Sequence, residues 1–106
     1  MLFQREHREM ILSGRKTQTR RIWPHGRRAV PGALHWAATK LYDPDARFAR
    51  LHIKGVWQER LGWVMRVDAR AEGYDSVDEF LDVFDRINGP TPRETLVWVV
   101  SFEVVP

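Results

Sequence analysis

The chain has 106 residues, of which 43% are apolar and 11% aromatic, and this suits a single domain over residues 1–106. It contains no cysteine, which excludes disulfides, thiolate metal sites and cysteine nucleophiles. The charged start of the chain lacks the apolar stretch of a signal peptide, and no apolar run is long enough to span a bilayer. We therefore expect a soluble, cytoplasmic domain with no membrane partner. The sequence leaves the oligomeric state open, and a monomer is favoured.

The positive charge is concentrated at the start of the chain. Residues 1–28 hold eight lysines and arginines against two glutamates, a net charge of +6, whereas the remaining residues carry −3. A basic segment on a near-neutral body indicates an anionic partner, of which phosphate is the commonest. The alternative is a solvated arginine-rich surface without a ligand.

The first part of the chain is predicted to form one helix and three short strands. Apolar spacing predicts the helix over 5–13, with Gly14 as the residue after its end. The strands are predicted at 3–4, 18–23 and 33–36.

A longer strand is predicted over 48–57. There Ala49, Leu51 and Ile53 alternate with polar residues, as in a half-buried strand, and Gly55 is a candidate bulge. The sheet is expected to continue less regularly over 58–67.

The last two elements are a helix over 77–87 and a strand over 96–105. Ser76 and Glu79 form a capping-box pattern at the start of the helix. One face of the strand is predicted to carry Leu96, Trp98, Val100, Phe102 and Val104. Several strands with two main helices indicate an α+β fold, built on a curled sheet or small β-barrel.

The segment from Gly14 to Arg21 is the densest in chemistry, with a lysine, two threonines and three arginines. Crowding and burial disfavour the ammonium form of Lys16, which can then act as a base toward a hydroxyl such as that of Thr19. In a regular strand these two side chains would point to opposite faces, so cooperation requires a turn between them. The alternative is an exposed basic strand start, with threonines that serve β-propensity alone.

The spacing Gly14-x-Lys16-x-x-Thr19-x-Arg21 resembles the G-x-K-x-x-T-x-R signature of the ASCH domain, a PUA-like family. Further similarities follow in the family's order and span nearly the whole chain. They are Met10-Ile11-Leu12, Pro31-Gly32, Ala71-Glu72-Gly73-Tyr74 before a Ser-capped helix, and the closing strand from Trp98 to Val104.

The resemblance implies a PUA-like barrel whose cleft binds RNA or a nucleoside-like ligand. In one branch of the family it implies a metal-independent amidohydrolase that deacetylates acetylcytidine with a lysine, a threonine and a glutamate. The matching catalytic residues are Lys16, Thr19 and Glu72. The candidate ligand-binding residues are Arg15, Arg21, Trp23, Trp36 and Tyr74.

Three functional interpretations stay open at this point. The first is a module that binds RNA or a nucleotide-like ligand. The second is an enzyme, either the amidohydrolase of an acylated nucleoside or a ribonuclease. The third is a protein-interaction or regulatory domain with a vestigial cleft. The four histidines show no metal-ligand spacing, so we expect neither a metal nor a cofactor, and His7 is interpreted as packing on a helix face.

Overall fold

Four antiparallel strands form the centre of the fold, in the spatial order β1-β4-β3-β2. The computed structural model describes residues 1–106. The strands are β1 (Gln18–Arg21), β2 (Leu34–Ala38), β3 (Arg47–Arg60) and β4 (Leu96–Val105). The helices are α1 (Arg8–Leu12), α2 (Arg66–Ala71) and α3 (Val77–Asn88), with one-turn 3₁₀ helices at Arg5–His7, Pro44–Ala46 and Leu61–Trp63.

Bulges curl the sheet into a half-barrel. The pairing of β3 with β4 shifts register between Ile53 and Gly55, as predicted for Gly55, and β2 shifts against β3 between Ala37 and Ala38. An extra residue on one strand bends it and increases the local twist. The α+β fold with a curled sheet is therefore confirmed.

Strand β4 separates two apolar cores. Val100 and Phe102 belong to the first core, together with the predicted inner residues of β3, whereas Val97 belongs to the second, which packs under α3. The prediction of one apolar face on β4 is therefore wrong: Leu96 and Val104 are exposed. A strand at the centre of a curled sheet is covered on both sides, so burial does not follow strict alternation.

The predicted helices at both ends of the chain are confirmed. The first is a 3₁₀ turn followed by α1, and Gly14 after it has φ +79°. In α3 the hydroxyl oxygen of Ser76 accepts a hydrogen bond from the backbone N–H of Glu79 at 3.1 Å, as the capping pattern predicted. None of the helices is both long and apolar enough to cross a membrane.

Helix α2 was not predicted, because the sheet was expected to continue over 58–67. Strand β3 ends at Arg60, and a 3₁₀ turn and α2 follow. The carboxylate of Asp68 accepts the N–H of Met65 at 2.9 Å, which starts the helix without a Ser or Thr at its cap. The fold therefore has three α-helices, where two were predicted.

The predicted strand at 3–4 is reduced to a single parallel bridge between Leu2 and Ala38. The N–H of Phe3 donates to the carbonyl of Ala38 at 2.8 Å. This contact fixes the start of the chain beside β2 and, as described below, beside a cavity.

Candidate functional site

Three neighbouring elements hold the backbone at Lys16, in the connection from α1 to β1. The N–H of Lys16 donates to the carbonyl of Met10 at 2.8 Å, and the N–H of Thr17 donates to Ala71 at 2.7 Å. The carbonyl of Thr17 accepts from Phe102 at 3.0 Å. Lys16 therefore precedes the strand that carries Thr19 and is not bound by its alternation, and both residues line the cavity described next.

A cavity of about 190 Å³ lies between β1, the start of the chain and α3. Its polar lining consists of Gln4, His7, Lys16, Thr19, Arg20, Arg21, Glu72, Tyr74 and Asn88. Aromatic rings of Phe3, Phe80 and Phe84 form much of the remaining wall. No group of three His, Cys, Asp or Glu side chains is placed to hold a metal ion.

A buried network joins two cations to one carboxylate. The ammonium of Lys16 donates to Oε1 of Glu72 at 2.8 Å and to its backbone carbonyl at 3.1 Å. A guanidinium nitrogen of Arg20 donates to Oε2 of the same glutamate at 2.9 Å. All three residues are at most 4% exposed. Both oxygens of Glu72 are therefore occupied by charge-assisted hydrogen bonds.

The two cations respond differently to burial. Desolvation lowers the pKa of Lys16, and the nearby charges of Arg21 and Arg20 lower it further, although Glu72 opposes the shift. Desolvation acts in the same direction on Arg20, but Glu72 and Glu59 outweigh it and raise the pKa of that guanidinium. Arg20 therefore stays charged, whereas Lys16 gives up its proton more readily than an ordinary lysine.

Gly73 permits the close approach of α2 to Lys16. Its φ is +103°, and a Cβ atom there would lie 2.6 Å from the sulfur of Met10 and 3.7 Å from Cβ of Lys16. A side chain at this position would be strained and would displace Met10. Glycine thus allows the backbone carbonyl of Glu72 to reach the lysine.

The hydroxyl of Thr19 is oriented by Arg21. Nε of Arg21 donates to Oγ1 of Thr19 at 3.0 Å, and Nη2 donates to the carbonyl of Leu2 at 2.6 Å. The guanidinium carbon lies 4.8 Å from the centre of the Phe3 ring, and burial lowers the pKa of Arg21 to about 10. The threonine oxygen accepts from the arginine, so its own proton is available to a base or a ligand.

A hydrogen bond of 2.6 Å joins Nε2 of His7 to the hydroxyl of Tyr74. Burial, with a contribution from the charge of Lys16, lowers the pKa of His7 to about 4. Burial and the charge of Glu6 raise the pKa of Tyr74 to about 12. Both groups are therefore neutral at pH 7, and they present the tyrosine oxygen to the cavity at a fixed position.

The structure brings together five of the eight residues proposed from the sequence. Lys16, Thr19, Glu72, Arg21 and Tyr74 all line the cavity. The roles assigned to them stay predictions.

The other three lie elsewhere. Arg15 is exposed, Trp23 packs half-buried against the first core, and Trp36 is exposed beside Arg47 and Arg50. These residues do not line the cavity, so any contact they make with a ligand is outside it.

Sequence reasoning missed two members of the site. His7 was assigned to packing, and its polar contact requires Tyr74, a residue 67 positions away. Arg20 directly follows Thr19 in β1, and strand alternation would place it on the opposite face. No local signal marks either residue as part of the cavity.

Comparison with known proteins identifies the fold. No protein-family model and no curated protein sequence matches the chain. Among solved structures, the ASCH domain of Lactobacillus crispatus JV V101 aligns with a TM-score of 0.71 at 17% identity, over 92% of this chain and 69% of that one. A protein of Enterococcus faecalis V583 from family-model DUF984 aligns with a TM-score of 0.70 at 22% identity, over 94% of this chain and 70% of that one. The chain therefore shares its fold with these two structures, one of which is an ASCH domain.

Proposed function

We propose that the cavity binds a nucleoside-like ligand, free or as part of RNA. The observation that carries this proposal is the meeting of Lys16, Thr19, Glu72 and Tyr74 in one small cavity with aromatic walls. Its volume of about 190 Å³ is below the roughly 300–1,000 Å³ of pockets for drug-sized ligands, so it suits a single base or acylated base.

The lining matches the chemistry of a nucleobase. A base has apolar faces, which suit the rings of Phe3, Phe80 and Phe84, and a polar edge that needs hydrogen-bond partners. The hydroxyls of Thr19 and Tyr74 supply such partners at defined positions. A cavity with buried polar groups rejects ligands that leave those groups unpaired.

The test is isothermal titration of cytidine and acetylcytidine against the wild type and Thr19→Val. This substitution keeps the shape of the side chain and removes the hydroxyl, and we expect it to weaken binding about tenfold. Thr17→Val is the matched control, because Thr17 is exposed and does not line the cavity. Equal losses in both variants, or no binding of any nucleoside by the wild type, would contradict the proposal.

A second candidate function is amide hydrolysis of an acylated nucleoside such as acetylcytidine. It is favoured by the lowered pKa of Lys16 and by the available proton of Thr19. In this reaction Oγ1 of Thr19 attacks the acyl carbon while the neutral amine of Lys16 takes the hydroxyl proton. The carbon–nitrogen bond then breaks, and the leaving amine receives a proton from Lys16, whose ammonium Glu72 stabilises. Water hydrolyses the acyl-threonine ester, which releases the carboxylic acid and restores the hydroxyl.

Chromatographic detection of cytidine formed from acetylcytidine tests the hydrolase. We expect Lys16→Ala and Thr19→Val each to abolish product formation, with Thr17→Val unchanged. Turnover that survives in both cavity variants would contradict the assignment. Binding of acetylcytidine by the wild type without any turnover would leave a binding module.

A further inference from the structure

A second recess, of about 310 Å³, lies beside the start of the chain and is lined by three arginines: Arg5, Arg8 and Arg47. Backbone pairing brings them together, because Phe3 bonds to Ala38 and Ala38 is the β2 partner of Arg47. We call this recess the arginine groove.

The charges of the arginine groove are largely uncompensated. Arg5 and Arg47 have no carboxylate within ion-pair distance, and Arg8 has only Glu9 at 3.8 Å. All three arginines are exposed. Asp45 is the single acidic residue of the lining, so the groove carries a formal net charge of +2.

An aromatic ring extends the rim of the groove. The guanidinium carbon of Arg47 lies 5.2 Å from the ring centre of Trp36, and that of Arg50 lies 4.7 Å from it. Trp36 is 41% exposed. Arginines with an accessible tryptophan are the combination that holds a single-stranded nucleic acid, through phosphate contacts and base stacking. An acidic polypeptide would use the charge and gain little from the ring.

Two packed aromatic rings separate the groove from the cavity. Phe3 lines the cavity and Phe48 lines the groove, and their rings pack edge to face with centres 6.4 Å apart. The cavity and the groove therefore lie on either side of a single aromatic pair.

We propose that the arginine groove binds the phosphate backbone of a single-stranded nucleic acid, one base of which enters the cavity. The entry of a base into the cavity rests on the function proposed above, whereas phosphate binding by the groove does not. The ligand of the cavity is then a nucleoside that is part of a strand, rather than a free nucleoside.

Fluorescence anisotropy with a labelled single-stranded RNA of about ten nucleotides tests the groove. The double variant Arg5→Ala/Arg8→Ala should bind this RNA about tenfold or more weakly at 0.1 M salt. It should also lower the slope of log affinity against log salt by about 1.4, since each phosphate contact contributes about 0.7 on a single strand. The matched control is Arg27→Ala/Arg28→Ala, which removes the same charge from a loop outside both recesses.

A gain of affinity provides the complementary readout. Asp45→Asn removes the one acidic charge of the groove and should strengthen RNA binding severalfold, which a purely structural role would not produce. Equal losses in the groove and loop double variants would overturn the proposal. So would polyglutamate binding as tight as that of the RNA, because the groove would then select negative charge alone.

Free nucleosides separate this proposal from the proposed function. The groove double variant should bind cytidine and acetylcytidine as the wild type does. If it loses nucleoside binding while still folded, the groove is not a separate site and the proposal fails. If the wild type binds nucleosides but not RNA, the groove proposal is refuted and the cavity function stands. If it binds RNA but not nucleosides, the cavity function is refuted and the groove proposal stands.

Discussion

Two basic regions of this small domain differ in what surrounds their charges. In the cavity, Lys16 and Arg20 are buried and both bond to Glu72. In the arginine groove, Arg5 and Arg47 are exposed and have no carboxylate partner. The basic first part of the chain contributes to both regions, but its side chains are buried in a fixed network in the cavity and exposed in the groove.

The buried network has a physical cost that the exposed groove does not have. Burial of charged groups is unfavourable unless their partners are well placed, and a buried ion pair is weak evidence for a gain in stability. We therefore expect the network at Glu72 to serve the ligand, and its disruption to be costly for the fold.

The largest expected effect follows from breaking this network with Glu72→Gln. The change leaves Lys16 and Arg20 buried without their shared negative charge. Loss of one partner of a buried ion pair costs about 3–5 kcal/mol, so urea unfolding should show a free energy of unfolding lower by that amount. The control is Glu6→Gln, at an exposed pair with Arg86, which should cost about 1 kcal/mol or less.

If both variants lose the same stability, Glu72 is solvated and the contrast between the two regions is wrong. A variant that does not fold at all agrees with the prediction only if Glu6→Gln folds normally.

A second prediction concerns the pH dependence of stability that buried His7 causes. The pKa of His7 is about 4 in the folded protein and about 6.5 in the unfolded chain, so the unfolded chain binds the extra proton first. The stability due to neutral His7 is complete above pH 6.5 and is lost as the pH falls toward 4. The loss amounts to at most about 3 kcal/mol.

Urea unfolding between pH 7 and pH 4 checks this expectation. His7→Gln cannot titrate, so its stability should fall less over that interval than the wild type's. His25→Gln, at an exposed histidine, should follow the wild type. Identical pH profiles for wild type and His7→Gln would show that the histidine is charged or solvated in the folded state.

Local patterns were sufficient for much of the fold. Alternation placed Ala49, Leu51 and Ile53 in the core, and Ser76 capped α3 as its capping pattern required. These predictions depend on neighbours in the sequence, which is why they could be made without a structure.

Contacts between distant residues could not be predicted in this way. Lys16 and Glu72 are 56 positions apart, and their proximity was expected only from a family resemblance. The arginine groove had no such guide, because it depends on the bridge from the start of the chain to Ala38 and on the pairing of Ala38 with Arg47. Helix α2 was missed because its N-terminal hydrogen bond comes from an aspartate within the helix rather than from a residue before it.

The last and smallest effect concerns Arg21, which is half-buried and lies between the two extremes of the comparison. Its guanidinium holds the hydroxyl of Thr19, so Arg21→Ala removes both a charge and the orientation of a ligand contact. Loss of a close charge-assisted contact costs about 1.5–3 kcal/mol, which corresponds to about tenfold or more in the affinity for the RNA probe. The double change Arg27→Ala/Arg28→Ala should cost only a few tenths of a kcal/mol at physiological salt, because exposed charges are screened.

Urea unfolding of Arg21→Ala, which also loses the contact with Phe3, separates a folding defect from a binding defect. If the loop pair proves the more damaging at high salt, the anion site lies in the loop, and the placement of function at Lys16 and Thr19 is wrong.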